Sequence, residues 1–232
     1  AIAGQIKRLD VDVIGMQEAL VHQKEQLLTD LPGYASVGVG RDDGLNAGEF
    51  SPIFYKAHRF QLLVSSTFWL SPTPEIPSKG WDAALNRICT YAQFVDRQSK
   101  DTFWVFNTHF DHVGETARMK SAELILQKMK EVTKGANQAV IFCGDLNLND
   151  DHPTIAFVQS QMKDALLVSK QVKTKMNRTF NNFDLTTPAS NRIDYIFTNA
   201  YINVQSFETI VEPFGVSYPS DHFPILAKLK IK

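Results

Sequence analysis

Apolar positions along this chain come mostly in short bursts. Residues 11 to 17 (VDVIGMQ), 59 to 70, 88 to 96, 102 to 109, 139 to 144, 193 to 198 and 202 to 210 are rich in β-branched and aromatic residues, which predicts strands. One stretch has a sustained helical period. Over 115 to 134, Ala122, Ile125, Met129 and Val132 recur at three- and four-residue spacing, and Gly135 supplies a stop. Shorter helices are predicted at 1 to 9, at 21 to 29 and after Pro153, while SPTPEIPSKG (71 to 80) reads as a loop. No fixed-period repeat or low-complexity tract interrupts the pattern. Strands with helices between some of them argue for two packed sheets flanked by helices, although periodicity alone also permits an ordinary α+β domain.

Composition narrows the classes. A chain of 232 residues that is 44% hydrophobic can bury one large core, so a single domain is expected. A net charge of −1 supplies no global field for an anion, so an anionic partner must be held locally by a metal or by a few Arg and Lys. No apolar run approaches the roughly 20 residues that span a bilayer. Cys89 and Cys143 each sit in an apolar run and are expected as buried free thiols rather than a disulfide. The chain opens AIAGQIKRLD, without Met and partway through a predicted helix. A preceding segment is therefore expected; an export signal could be part of it, so the compartment stays open.

The strand ends carry the chemistry. Glu18 ends VDVIGMQE; Asn107, His109 and Asp111 end TFWVFNTHFDH; Asp145 and Asn147 end AVIFCGDLN; Asp194 opens RIDYIF. Asp221 and His222 follow in YPSDHFPI. Strand-terminal loops on a rigid scaffold favour ligand sites, and carboxylates with amides and imidazoles suit a hard divalent cation. Each residue also has a plain reading: Asp145 and Asn147 as turn formers, Asp150 or Asp151 as a cap for a helix carrying Pro153. Three Asp-His dipeptides, Asp111-His112, Asp151-His152 and Asp221-His222, fall among only six histidines; Asp151-His152 is assigned to capping, and Asp221-His222 is evenly balanced between a plain and a chemical role.

Taken in order, MQEAL, GEFSPIFYK, NRICTYAQF, NTHFDH, GDLNLND, RIDYIF and SDHFPI resemble the endonuclease/exonuclease/phosphatase superfamily, and span nearly the whole chain. Within it, FWLSPTPEIPSKGWDAALNR is similar to a segment of bacterial single-domain members whose substrates are poorly defined. The resemblance implies a deoxyribonuclease-I-like, four-layer αββα sandwich with its site at one end of the sheets. It implies Glu18 as a metal ligand with Asp221 near the metal, and Mg2+ or Mn2+ as the cofactor. His222 would contact the scissile phosphate and Asp194 would orient it. Asp145 would activate water or serve the leaving group, Asn147 would hold phosphate or water, and Arg87 would face the phosphate. His109 would be a second site histidine paired by Glu49, with Asn107 and Asp111 nearby in substrate binding. The family's first strand, whose terminal Asn or Asp also binds metal, lies before residue 1 and is expected in the preceding segment.

The implied chemistry is in-line attack of water on a phosphoester. The substrate expected is a small phosphorylated molecule or a phospholipid head group, with DNA or RNA as the alternative. The basic residues Lys163, Lys170, Lys173, Lys175 and Arg178 read as a solvated surface, and Trp69, Trp81 and Tyr218 as packing before stacking platforms. Two other classes compete. THFDHVG resembles the zinc motif of metallo-β-lactamase-like hydrolases but lacks its additional His, and a binding domain that kept the fold without turnover is the non-enzyme reading. No protein partner is evident, and a monomer is expected.

Overall fold

The computed structural model describes every residue except Lys175, Thr187, Pro188 and Ser190. Its strands and helices, in chain order, are α1 (Ile2–Leu9), β1 (Val13–Gly15), α2 (Val21–Asp30), β2 (Tyr34–Val37), β3 (Ile53–Lys56), β4 (Phe60–Trp69), β5 (Ile88–Asp96), β6 (Thr102–His109), α3 (Glu115–Thr133), β7 (Ala139–Asp145), α4 (Pro153–Gln159), β8 (Lys163–Asp164), α5 (Ala165–Val168), β9 (Asp194–Thr198), β10 (Ile202–Thr209) and β11 (Ile225–Ile231). One sheet runs β4-β5-β6-β7-β9-β8, with β6 and β7 parallel and the other neighbours antiparallel. Facing it are a three-stranded sheet, β1-β3-β2, and the hairpin-like pair β10-β11. The architecture is the two-sheet, helix-covered sandwich of the deoxyribonuclease-I-like fold.

The alternation of β6 explains both its continuous apolar run and its role. Trp104 and Phe106 point into the core under α3 and α4, where Ile125, Met129 and Ile155 pack. Phe103 and Val105 point to the opposite face, against Ile53 and Phe94. A strand buried on both sides needs apolar residues at every position, and each large side chain so buried stabilises by about 1.5–3 kcal/mol. The same two-residue period puts Asn107 and His109 on the face toward the small sheets.

All seven predicted strands and the predicted helices exist in the structure. The strands not anticipated are β2, β3, β8 and β11. β2 and β3 are four residues each, and ILAKLKI in β11 has apolar spacing that suits a helix as well as a strand. Helix α3 has no side-chain cap of its own at Gly114; instead Asp82 accepts from Ala117 N (2.6 Å) and Thr116 N (3.1 Å), so the GWD segment of the preceding loop ties into the helix start. The cap of α4 is His152, whose Nδ1 accepts from Thr154 N at 3.1 Å, rather than Asp150 or Asp151. A side chain directly before Pro153 is placed to reach the second helical amide, and here the imidazole takes that place. Cys89 and Cys143 are free, the first buried and the second half-buried.

Trp69 is core, its Nε1 donating to Arg41 O, and Tyr218 packs edge-on to Phe223; Trp81 stays partly exposed. Of the basic run, Lys173 pairs with Glu208 at 3.4 Å, and Lys175 lies outside the described residues. Among the described residues no helix is long and apolar enough to cross a membrane. A groove of about 1580 Å³ runs between β1 and β11, with Phe103, Val105 and Ile141 on its floor.

Candidate active site

Three neighbouring strands end together. In the sheet register His109 of β6 lies opposite Asp145 of β7, and Asp145 lies opposite Asp194 of β9. Because neighbours in a row point to the same face, the pleat alone gathers an imidazole and two carboxylates. Glu18 reaches the same place from just beyond β1, its Oε1 3.8 Å from His109 Nδ1. His222, just before β11, closes the set: its Nδ1 donates to Asp194 Oδ2 at 2.8 Å and its Nε2 lies 4.0 Å from Asp145 Oδ2. Glu18, His109, Asp145 and His222, with Arg87, Asn147 and Asp221, line a cleft of about 350 Å³, and Asp194 stands behind His222.

The electrostatics are opposed across the cleft. Burial, then repulsion from Asp194, pushes Asp145 up to about 7. Desolvation, Glu49 and Asp221 push Glu18 up as well. Burial pulls the His222 imidazole down, but its bond to Asp194 and the fields of Asp145 and Asp221 outweigh it, and it rises to about 9. Burial and the guanidinium groups of Arg87 and Arg41 hold His109 well below its ordinary value, so it is neutral. Its Nε2 is 3.1 Å from the Asn147 amide nitrogen, which leaves the ring proton on a buried, unpartnered Nδ1.

Asn147 takes a left-handed backbone (φ 50°) in which its own N donates to Asp145 Oδ1 at 2.8 Å. Its side-chain amide also donates to Phe110 O at 3.0 Å. Arg87 is 4% exposed; its Nε faces Asp111 at 3.4 Å, and its Nη1 is buried without a partner.

Several expected positions differ. Glu49 does not pair His109; its carboxylate is drawn to Arg41, whose Nη1 donates to it at 2.5 Å. Asn107 is fully buried: its side-chain amide donates to Met16 O and Pro52 O and accepts from Gln17, clipping β6 to the β1-β3 sheet. Asp111, 1% exposed, accepts from the amides of Leu85, Val113 and Gly114 and holds Arg87. Those amides overcome burial and hold its carboxyl well below the usual range. Among the cleft-lining residues that sequence reasoning gave no role are Phe180, edge-on to the His222 ring at 5.2 Å, and His112, whose Nδ1 is 3.0 Å from Arg87 Nη2. His112 carried a signal, since it belongs to an Asp-His dipeptide; Phe180 carried none.

Among the described residues, Asp145, Asp194 and His222 form the compact set whose donor atoms could share one metal ion. An imidazole already bonded to a carboxylate and raised to about 9 is a poor ligand. The carboxylates Glu18, Asp145 and Asp221 fit better: they are oxygen donors, and the upward shifts of the first two are relieved by a cation. Glu18 and Asp221 both line the cleft but fall outside the compact set.

A sandwich with carboxylates, three histidines and a buried arginine at one end of its sheets is the arrangement of a phosphoester hydrolase. The family model described as "Endonuclease/Exonuclease/phosphatase family" matches residues 1–222, and the chain belongs to that family of divalent-metal hydrolases. A Bacteroides thetaiotaomicron mannosyl-6-phosphatase is 38% identical, with a TM-score of 0.96, covering 99% of this chain and 89% of that one. The human Nocturnin catalytic domain shares the fold at 20% identity and a TM-score of 0.77, covering 100% of this chain and 84% of that one. Uncharacterized protein L388 of Acanthamoeba polyphaga mimivirus is 26% identical over 243 residues, covering 97% of this chain and 88% of that protein. Family membership sets aside the metallo-β-lactamase-like reading of THFDHVG, whose His109 and Asp111 are committed to Asn147 and Arg87.

Proposed function

We propose that this protein hydrolyses a phosphoester in a small phosphorylated molecule, a sugar phosphate before a nucleic acid, using Mg2+ or Mn2+. The observation that carries the reading is the opposition across one small cleft of raised carboxylates and buried cationic donors, above all the unpartnered Nη1 of Arg87. That pairing suits a cation and a phosphate held side by side. A volume of about 350 Å³ lies at the low end for ligand pockets, which favours a small substrate. The mannosyl-6-phosphatase, at 38% identity, supports the same choice.

In this reading residues 1–232 act as one catalytic unit. Asp145, beside His222 and ionised once the cation relieves its upward shift, takes the proton of an attacking water. Asn147 spends its amide on His109 and Phe110 and turns its Oδ1 to that water. His222, cationic at neutral pH and aimed by Asp194, donates from Nε2 to a phosphate oxygen as charge builds in the transition state; Arg87 does the same from Nη1. Glu18, with Asp221 beside it, would hold the divalent cation, which would supply charge neutralisation for the phosphoester. His109, kept neutral, holds Asn147 in place, and no covalent intermediate is needed.

The test is hydrolysis across sugar phosphates, inositol phosphates, phospholipid head groups, single-stranded and duplex DNA and RNA, with Mg2+, Mn2+ or EDTA and His222→Ala as control. Metal- and His222-dependent release of phosphate from sugar phosphates is expected. Cleavage confined to nucleic acid would replace the substrate, and silence with metal bound would favour the binding-domain reading.

A further inference from the structure

We infer that His112 and Arg87 together form a subsite for the terminal oxygens of the phosphate, and that this subsite makes the enzyme selective for phosphomonoesters over diesters. The inference rests on the phosphoester-hydrolase reading above and names the substrate class of that same cleft.

The argument starts from what a guanidinium cannot do. Arg87 Nη2 lies 3.0 Å from His112 Nδ1, and because arginine has only donors, Nδ1 must accept. The ring proton of His112 therefore sits on Nε2, on a side chain that is exposed and lines the cleft. The same guanidinium is fixed from its other side by Asp111, itself locked by three backbone amides, so Arg87 has no freedom to turn away. Its Nη1 remains buried with no partner. A buried cationic donor left unsatisfied is costly in a folded protein, and its position on the wall of a cleft indicates an anion that completes it.

Arg87, His112 and His222 thus line one cleft, with Nη1 of Arg87 buried and unpartnered beneath it and Nε2 the free ring nitrogen of each histidine. A monoester presents three non-bridging oxygens and two negative charges at neutral pH. Esterifying one of them removes an acceptor and a charge, and leaves a donor facing an alkyl group. His222, directed at the reacting centre by Asp194, serves either substrate. His112, which reaches the phosphate only beside Arg87, serves the additional oxygen.

The experiment compares p-nitrophenyl phosphate with methyl p-nitrophenyl phosphate, which share a leaving group and differ by one ester methyl. It uses the wild-type chain, His112→Ala and His112→Gln at saturating Mg2+. Wild type is expected to prefer the monoester. His112→Ala should lower kcat/KM for the monoester about 10- to 100-fold, the usual size of one charge-assisted hydrogen bond, and change the diester by less than about threefold. Inhibition by inorganic phosphate should weaken in parallel. His112→Gln, whose Oε1 can accept from Arg87 while its amide donates, should restore much of the selectivity, an effect that a purely structural role would not give. His112 is exposed, so the thermal midpoints should match wild type. Equal losses on both esters, or a His112→Ala enzyme that keeps its monoester preference, would overturn the subsite. A wild-type enzyme that cleaves neither ester nor any sugar phosphate would instead overturn the parent reading.

Discussion

His222 donates from Nδ1 to Asp194 Oδ2 at 2.8 Å, so the carboxylate fixes both the direction of the ring and its proton inventory. With the imidazole raised to about 9, it stays cationic through neutral pH. Asp194→Asn keeps the shape and loses the charge. Turnover should fall on the order of 10² to 10³, as for the loss of one transition-state donor. The alkaline limb of the kcat–pH profile should move from near 9 toward the ordinary histidine range. A limb that stays in place would mean that another group keeps His222 charged.

Asp145 and His222 also make stability depend on pH. Asp145 holds its proton to about 7 when folded against an ordinary value of 3.8, so raising the pH through that window penalises the folded state. His222, at about 9 against 6.5, contributes stability that is complete below 6.5 and lost as pH rises through 9. The two share one charge interaction, so the sum is about a few kcal/mol. In EDTA the thermal midpoint should therefore decline from about pH 5 to about pH 8. Saturating Mg2+ should raise it more at the higher pH, where Asp145 is ionised. An equal rise at both pH values would mean that Asp145 does not sense the ion.

The Arg192–Asp164 pair lies deeper than the site, 2.7 Å apart with side chains 2% and 1% exposed. Asp164→Ala removes the partner and leaves the guanidinium buried alone. Urea denaturation should show a loss of about 3–5 kcal/mol. A loss below about 1 kcal/mol would mean that Arg192 finds water or another acceptor.

Gly144 precedes Asp145 at φ 153°, and a Cβ there would stand 2.1 Å from Thr108 O on β6. Gly144→Ala must push β6 and β7 apart where His109 and Asp145 face each other. Soluble yield and thermal midpoint should drop sharply, and the folded remainder should lose activity. A variant of wild-type stability would show that the β6–β7 spacing yields locally. Gly15 is similarly placed: a Cβ there would meet Asn107 Oδ1 at 2.6 Å and Cys143 Sγ at 2.7 Å.

The sequence made the fold legible where periodicity was long or apolar runs were continuous, as in α3, β6 and β7. It was silent where elements were short or where tertiary contacts decide, as in β2, β3 and β11. Polar residues at strand ends pointed to the site because a carboxylate there must leave the core or find a partner. What one dimension could not show was the partner. Asn107 and Asp111 sit in the right motif, yet one spends its amide clipping two sheets together and the other its carboxylate holding Arg87. Glu49 was placed in the right neighbourhood but against the wrong group, because Arg41 comes from a loop that only folding brings alongside it.

Glu18 sits at φ 59°, a left-handed conformation that costs a residue with a side chain on the order of 1 kcal/mol and glycine almost nothing. Selection for durability alone would therefore place glycine at position 18, and Glu18→Gly should give a chain that resists heat better while giving up the carboxylate in the cleft. Catalytic capacity and mechanical ease are in direct competition at this one backbone angle, so stabilising screens run without an activity filter will drift toward a robust, inert protein.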